Sequence, residues 1–419
     1  HSLHIVQGHG LQFLIYSSHT REKGSKGMAW KERTVEQMRE EFVRRVLAQE
    51  RSKAALCKEY DISRPTGDKW VERFREGESL SDRSRAPLTV PGRTPAEIEA
   101  EIVRIRQQHP ALGAVKLRKI MQDAGYTGLP CARTFNNIFA RHGLIEKEAS
   151  QAATPYQRFE KSVPNEMWQA DFKGHFQMKD GYRCHPLNII DDFSRFNLCI
   201  EALTQETFDA VKPVIERLFR EYGLPFSFLC DNGNPWGTAQ SLGYSRLEVW
   251  LMELGILTLH GRPRHPQTQG KEERFNRSFT RECLRGKTFT DKNHAQSCFD
   301  EYRTFYNDVR PHFALDLDVP SAHYKPSARQ MPNKITDWEY SSEYQLCKVK
   351  ETGYFNYKGQ GFFLSEAFAG KTIAVRESYL PGQITLVFRQ FKIGRIDLVD
   401  RIYTLRKAYL LEGDPRANV

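Results

Sequence analysis

Three acidic positions offer the clearest chemistry in this sequence. Asp171 sits inside the apolar run Met167-Trp168-Gln169-Ala170-Asp171-Phe172. Asp231 follows the run Phe226–Cys230 and opens Asp-Asn-Gly. Glu273 lies beside Glu272 in the first turn of a helix that begins near Lys271. A carboxylate in a buried strand is costly unless it is paired or metal-bound. Carboxylate oxygens suit hard Mg²⁺ or Mn²⁺. Two such ions roughly 4 Å apart activate an attacking oxygen and stabilise a leaving one in phosphodiester chemistry. Taken singly, each position has an ordinary explanation: Asp-Asn-Gly is commonly a turn, and Glu272-Glu273 at a helix N-terminus complements the helix dipole.

The elements around these acids decide whether they meet. Leu187–Ile190 and Phe196–Leu203 read as strands joined by Asp191-Asp192-Phe193-Ser194-Arg195. An amphipathic helix follows from Glu206 to Tyr222, with Pro213 inside it, and Gly223-Leu224-Pro225 ends it. Phe226–Cys230 is a strand, Arg246–Leu254 a helix and Ile256–Leu259 a strand, and the loop HGRPRHPQTQG leads to the Lys271 helix. Alternation of this kind lets acids at element edges converge on one end of a sheet.

Upstream, Thr34 and Gln37 form a capping box that opens a helix with Met38, Phe42, Val46 and Leu47 at helical spacing. A short helix, Ser52–Tyr60, and the turn Asp61-Ile62-Ser63 precede a third helix running to about Glu76, with Trp70, Val71 and Phe74 inward. Helix, short turn, capped helix is a helix-turn-helix pattern. Arg64, Lys69 and Arg73 lie on its third helix, where groove and phosphate contacts arise. After a Ser/Arg/Pro-rich linker the pattern recurs from Thr94-Pro95, with Ile98, Ile102 and Ile105 on one face, to Gly143.

The 419 residues carry 62 Lys plus Arg against 52 Asp plus Glu, a formal charge of +10, which favours an acidic partner. No apolar run reaches the roughly 18 residues of a membrane helix. The eight cysteines are scattered with no C-x-x-C pair, which argues against a zinc ribbon or a disulfide scaffold and fits a reducing, cytoplasmic setting. Residues 1–27 look unlike the rest and read as a non-native or disordered extension, with Met28 the expected start. From Leu346 short strand-like runs alternate with turns at Lys358-Gly359 and Pro381-Gly382, the pattern of a small barrel.

The motifs WQADFKG (168–174), DDFSR (191–195), YGLPFSFLCDNG (222–233), HPQTQGKEERFN (265–276) and YNDVRPH (306–312) occur together and in order. The chain thereby resembles the DDE transposases of bacterial insertion sequences, of the retroviral-integrase type, in a single-frame form. The resemblance implies an RNase H-like core in which Asp171, Asp231 and Glu273 bind two Mg²⁺ (or Mn²⁺) ions. Gly270 and Asn276 select Glu273 over Glu272, which is then expected to be dispensable. There are 41 residues between Asp231 and Glu273, more than is typical of retroviral integrases, and the surplus is expected in a loop at Asn234–Ser245. With a metal carboxylate on that helix, the face Glu273, Arg277, Arg281, at i, i+4 and i+8, would lie beside DNA. Arg262, Arg264, His265, Lys271 and Arg274 would join it in holding phosphates.

The expected architecture is multidomain: a helix-turn-helix at 28–78, a linker at 79–93, a second helix-turn-helix at 94–145 and a linker at 146–165. An α/β RNase H-like core at 166–320, a connector at 321–345 and a C-terminal β-barrel at 346–410 follow. The expected function is a transposase that binds terminal inverted repeats, cleaves the DNA ends and joins the 3′-hydroxyl to target DNA. It would act as a homo-oligomer on double-stranded DNA, in the bacterial cytoplasm at the nucleoid and away from membranes. The rivals are a silent, domesticated transposase acting as a repressor, and a nuclease without strand transfer.

Overall fold

A computed structural model of the chain describes residues 34–83, 92–145, 161–237, 243–261, 270–378, 380–400, 403–404 and 408–411. The expectation for residues 1–27 lies outside them. The chain divides into two units, 1–93 and 94–419.

The first unit is three helices, α1 (Val35–Leu47), α2 (Lys53–Glu59) and α3 (Arg64–Arg75). Thr34 and Gln37 form the expected capping box, and Ser63 Oγ accepts from Thr66 N to start α3. Phe42, Val43, Leu56, Cys57, Trp70, Val71 and Leu80 close the core. Gly67 makes that packing possible, because a Cβ there would meet Cys57 Sγ at 2.6 Å and the Phe42 ring at 3.0 Å. Phe74, expected inward, is exposed. Leu80, returning after the turn at Gly77, is buried in the core instead.

The second unit opens with α4 (Ala96–Gln108), α5 (Ala114–Asp123) and α6 (Ala132–Arg141) around Ile102, Leu117, Met121 and Phe135. The N-cap of α4 is Pro95, with no side-chain cap bond. Eight residues join α5 to α6, longer than a tight helix-turn-helix turn. These helices pack on the rest of their unit: the His109 ring stacks on Phe305 at 4.5 Å, and Lys116 Nζ lies 5.4 Å from the Phe313 ring centre.

The centre of this unit is a mixed sheet. Its strands are β1 (Met167–Phe172), β2 (Phe176–Gln177), β3 (Arg183–Asp191), β4 (Asn197–Leu203), β5 (Ser227–Cys230) and β6 (Leu257–His260). The order is β2-β3-β1-β5-β6, with β4 also paired to β3; β1, β5 and β6 run parallel and β3 antiparallel to β1. One face packs on α7 (Phe208–Tyr222) and α8 (Arg246–Glu253) through Trp168, Leu187, Ile215, Phe219, Phe228 and Trp250. The other packs on α9 (Gly270–Phe279), a π-helical turn at Thr280–Leu284 and α10 (Lys292–Asp308) through Ile190, Ile200, Phe275, Phe279 and Phe299. Residues 292–305, not assigned from sequence, form most of α10.

The C-terminal part is antiparallel sheet, as the short strand-like runs predict. Strands β7 (Gln345–Lys348), β10 (Thr372–Glu377), β11 (Gln383–Phe388), β12 (Phe391–Asp397), β13 (Tyr403–Thr404) and β14 (Tyr409–Leu410) form one antiparallel sheet, ordered β13-β12-β11-β10-β7 with β14 on β12. A separate hairpin joins β8 (Tyr354–Tyr357) to β9 (Gln360–Phe363). Among the described residues β7 and β13 do not pair, so no closed barrel is seen. The sheet's apolar face is covered by the hairpin and the 366–368 turn, through Phe355, Phe362 and Phe368, and by α8: Tyr244, Val249 and Met252 share that core with Ile373, Leu386 and Phe391.

Candidate active site

Asp171 and Asp231 come from neighbouring parallel strands, Asp171 near the end of β1 and Asp231 just past β5. Parallel pairing brings both C-terminal ends to one edge of the sheet. There the two carboxylates line a cleft of about 340 Å³ with Phe172, Gly174, Glu206, Gly233 and Asn234. Burial, and then the negative charge of Asp231, pushes the Asp171 carboxyl up to about 6. The elements therefore hold two acids closer than their charges favour, an arrangement that a cation relieves.

Each acid is tethered from behind. Asn276 Nδ2 donates to Asp171 Oδ2 at 2.9 Å, and Asn188 Nδ2 donates to Asn276 Oδ1 at 2.7 Å. Asn188 is opposite Asp171 in the β1–β3 register and fully buried. Its polar type within Leu187-Asn188-Ile189-Ile190 is the one sequence signal of this role. On the other side Asp231 Oδ1 accepts from Gly233 N at 2.9 Å, and the Asp231 carbonyl lies 2.7 Å from His260 Nδ1. Glu206, also unnoticed in the sequence, lines the cleft and lies 2.7 Å from His185 Nδ1.

The two glutamates of α9 fall differently from expectation. Glu273 is on the exposed side of the helix, with Arg274, Arg277 and, further on, Arg281. Glu272 is 1 % exposed, and neither of its carboxyl oxygens has a hydrogen-bond partner among the described residues. Burial, and secondarily the Asp171 carboxylate, raises its proton affinity strongly. Thus Glu272, expected to be dispensable, is the acid that α9 turns toward Asp171. No group of three or more metal-ligating side chains is already assembled among the described residues.

The basic residues divide as well. Arg64 and Lys69 are exposed on α3. Arg73 is 7 % exposed, with Nη1 donating to the Ser81 carbonyl at 3.3 Å and Nε 3.5 Å from Glu78, so its charge is used inside the unit rather than offered to a groove. Lys271 is likewise committed: its Nζ lies 2.5 Å from Asp192 Oδ2 and ties α9 to the 191–195 turn. Arg262, Arg264 and His265 lie outside the described residues. The Asp-Asp-Phe-Ser-Arg and Tyr-Asn-Asp-Val-Arg-Pro-His motifs act as braces. Asp191 accepts from Asn165 N and from Ser194 N and Oγ, Asn307 bonds both backbone groups of Asn197, and Arg310 pairs with Glu282 at 2.7 and 2.8 Å.

Comparison with known proteins identifies this framework. Integrase core domain models match residues 161–266 and 254–320, a helix-turn-helix domain model matches 38–87, and the C-terminal domain of the IS481 family transposases matches 344–403. The chain carries integrase core domain matches, with helix-turn-helix and IS481-type transposase C-terminal domain matches on either side. It is 30 % identical over 178 residues to an uncharacterised 31.7 kDa protein of insertion element IS407 of Burkholderia multivorans, covering 42 % of this chain and 59 % of that protein. It is 23 % identical to a 39.2 kDa protein of insertion element IS476 of Xanthomonas euvesicatoria, covering 62 % and 76 %. A putative transposase of element IS5376 of Geobacillus stearothermophilus is 25 % identical, with 49 % and 51 % covered. The chain therefore spans between about half and three quarters of these relatives. Among solved structures, the HTLV-2 integrase catalytic core in complex with magnesium aligns at TM-score 0.28 and 15 % identity, covering 38 % of this chain and 97 % of that one. A simian T-cell lymphotropic virus intasome chain aligns at TM-score 0.32 and 15 % identity, covering 74 % and 97 %. No helix among the described residues is long and apolar enough to cross a membrane.

Proposed function

We propose that this chain is a DNA transposase. It binds the terminal inverted repeats of its element and hydrolyses a phosphodiester at each end; the freed 3′-hydroxyl then attacks a target phosphodiester, joining the element's 3′-oxygen to that phosphorus while the target's own 3′-oxygen leaves as a hydroxyl. The observation that carries the reading is the Asp171–Asp231 pair at one edge of an integrase core, where burial and mutual charge hold Asp171 at about 6. An all-oxygen donor set with excess negative charge fits Mg²⁺ or Mn²⁺. When bound, two such ions supply charge that stabilises attacking and departing oxygens. Asp171, Asp231 and Glu273 are proposed to hold them.

The chain's own residues do the rest. Asn276 aims Asp171, and Gly233 N aims Asp231. Arg277 and Arg281, exposed along α9 with Glu273, are proposed to hold the DNA backbone beside the cleft, and Arg64 and Lys69 to contact the repeat. Handling two ends together implies a homo-oligomer on DNA. The burial of unpartnered Glu272 near Asp171 favours a second reading of the triad alone, with Glu272 as the third carboxylate.

The test incubates the protein with Mg²⁺ and a duplex carrying the DNA end that flanks its gene, with Glu273→Gln and Glu272→Gln in parallel. Cleavage and joining abolished only by Glu273→Gln support the proposal as stated; abolition only by Glu272→Gln moves the third carboxylate to that position. Repeat binding without cleavage by the parent protein would replace the enzyme with a DNA-binding relic.

A further inference from the structure

Asp231 stands on an exposed turn just past the end of a strand, a place where backbone freedom is ordinarily high. Its carboxylate must nevertheless meet that of Asp171, which is anchored in the middle sheet. Among the described residues, the Asp231 side chain accepts a hydrogen bond from the amide of Gly233, in the same turn. What fixes the turn to the body of the protein lies behind it. His260 ends β6, which pairs with β5 so that His260 sits opposite Cys230. Its Nδ1 is 2.7 Å from the Asp231 carbonyl, which only accepts, so Nδ1 carries the hydrogen. Its Nε2 is 2.8 Å from Glu248 Oε1. Both side chains are about nine-tenths buried.

Glu248 is itself fixed. Its Oε2 accepts from Ser245 N at 2.6 Å, and Ser245 Oγ accepts from Glu248 N, a closed capping box on α8. Ser245 Oγ also donates to the Trp236 carbonyl at 3.1 Å, returning to the segment that follows Asp231. Asn232 Nδ2 donates to the Gly261 carbonyl at 3.1 Å, a second strap across the same gap. Gly237 passes close beside the ring, where a Cβ would lie 3.3 Å from His260 Cε1.

We propose that Glu248 and His260 are positioning residues that set the Asp231 carboxylate for cation binding, through the main chain of Asp231. This rests on the reading of Asp171 and Asp231 as metal ligands. A histidine that only filled space would not need two polar partners of fixed geometry, one the buried Glu248 carboxylate and the other the backbone of the proposed ligand. Outer groups that orient ligands in this way typically change metal affinity by about 10–100-fold when removed.

The test uses the full chain and Mn²⁺ alone. Binding is measured by electron paramagnetic resonance titration, and hydrogen exchange is followed for peptides covering 228–237. His260→Ala is expected to weaken Mn²⁺ binding about tenfold or more and to speed exchange at Asn232 and Gly233. Glu248→Ala should do the same, and Glu248→Gln, which keeps an acceptor oxygen for Nε2, should recover part of the loss. The double Ala variant should be no worse than either single one, because the two act in series. Unchanged Mn²⁺ affinity and exchange in folded His260→Ala overturn the proposal. So does a loss in Glu248→Ala that tracks the fall in melting temperature with the affinity of the folded fraction intact. Asp171→Asn separates this inference from the functional reading. If Asp171→Asn leaves Mn²⁺ binding unaltered, the metal-ligand reading fails, and faster exchange in His260→Ala still supports the strap alone. If the parent binds Mn²⁺ in a His260-dependent way but cuts no DNA, the inference stands and the enzymatic reading falls.

Discussion

At the scale of single residues, Asp171 concentrates the electrostatics. Its folded value near 6 lies above the ordinary 3.8, because it is buried and faces Asp231. A carboxyl whose proton affinity rises on folding contributes stability below its unfolded value, and that contribution is lost as pH climbs through the folded one. In the metal-free protein, Asp171→Asn removes this loss. Urea melts should show the variant gaining on the parent between about pH 4 and 6 and holding a lead on the order of 2 kcal/mol above that. The same proton competes with a cation, so Mn²⁺ affinity of the parent should fall as pH drops below about 6, measured by titration calorimetry at pH 7.5, 6.5 and 5.5. Asn276→Leu, which deletes the donor to Asp171 Oδ2, should weaken Mn²⁺ binding while leaving binding of repeat DNA in a mobility-shift assay unaltered.

At the scale of elements, close contacts decide which substitutions the fold tolerates. In α3, Gly67 faces Cys57 and Phe42 with no space for a methyl group. Gly67→Ala improves helix propensity but is expected to destabilise the first unit by about 1–3 kcal/mol through overpacking. The check is a lower melting temperature for that unit and weaker repeat binding. In α5, Lys116 is held down to about 8, chiefly by burial and then by Arg310. A lysine lowered on folding costs stability at every pH below its folded value, and the cost fades as pH rises from about 8 to 10.5. Lys116→Met should therefore stabilise the chain at pH 7 by about 1–2 kcal/mol, with the advantage over the parent shrinking by pH 10 in paired urea melts. Helix α8 shows a different economy. It is buried on two sides, by the central sheet and by the C-terminal sheet, and between them presents Glu248 to His260.

At the scale of the whole molecule, every core of the 94–419 unit is built from that unit's own residues. A chain starting at Thr94 is expected to fold, with a cooperative thermal transition by circular dichroism close to that of the full protein. Loss of the first helical unit should abolish preference for the repeat over random duplex in a competition assay. Binding that stays selective without residues 1–93 would assign recognition to the 94–419 unit instead.

Much of this organisation is legible in the residues. Capping pairs such as Thr34–Gln37, apolar runs such as Phe226–Cys230 and the terminating Gly223 are local facts, and local physics places α1, β5 and α7 within a few residues. The two aspartates are legible too, since Asp171 sits inside an apolar run and Asp231 directly follows one. What the residues leave open depends on neighbours far along the chain. Adjacent glutamates on a helix differ by about 100° in direction, so only the packing of α9 on the sheet decides that Glu272 turns inward and Glu273 out. Arg73 and Lys271 look like groove contacts until Ser81, Glu78 and Asp192 arrive beside them. The short C-terminal strands show no partner outside their own part, and only the folded chain brings Val249 and Met252 of α8, about 100 residues earlier, into their core. Asn188, Glu248 and His260 carry no motif. They become a site only when β3, α8 and β6 bring them behind Asp171 and Asp231, because hydrogen bonds depend on positions in space and not on spacing in sequence.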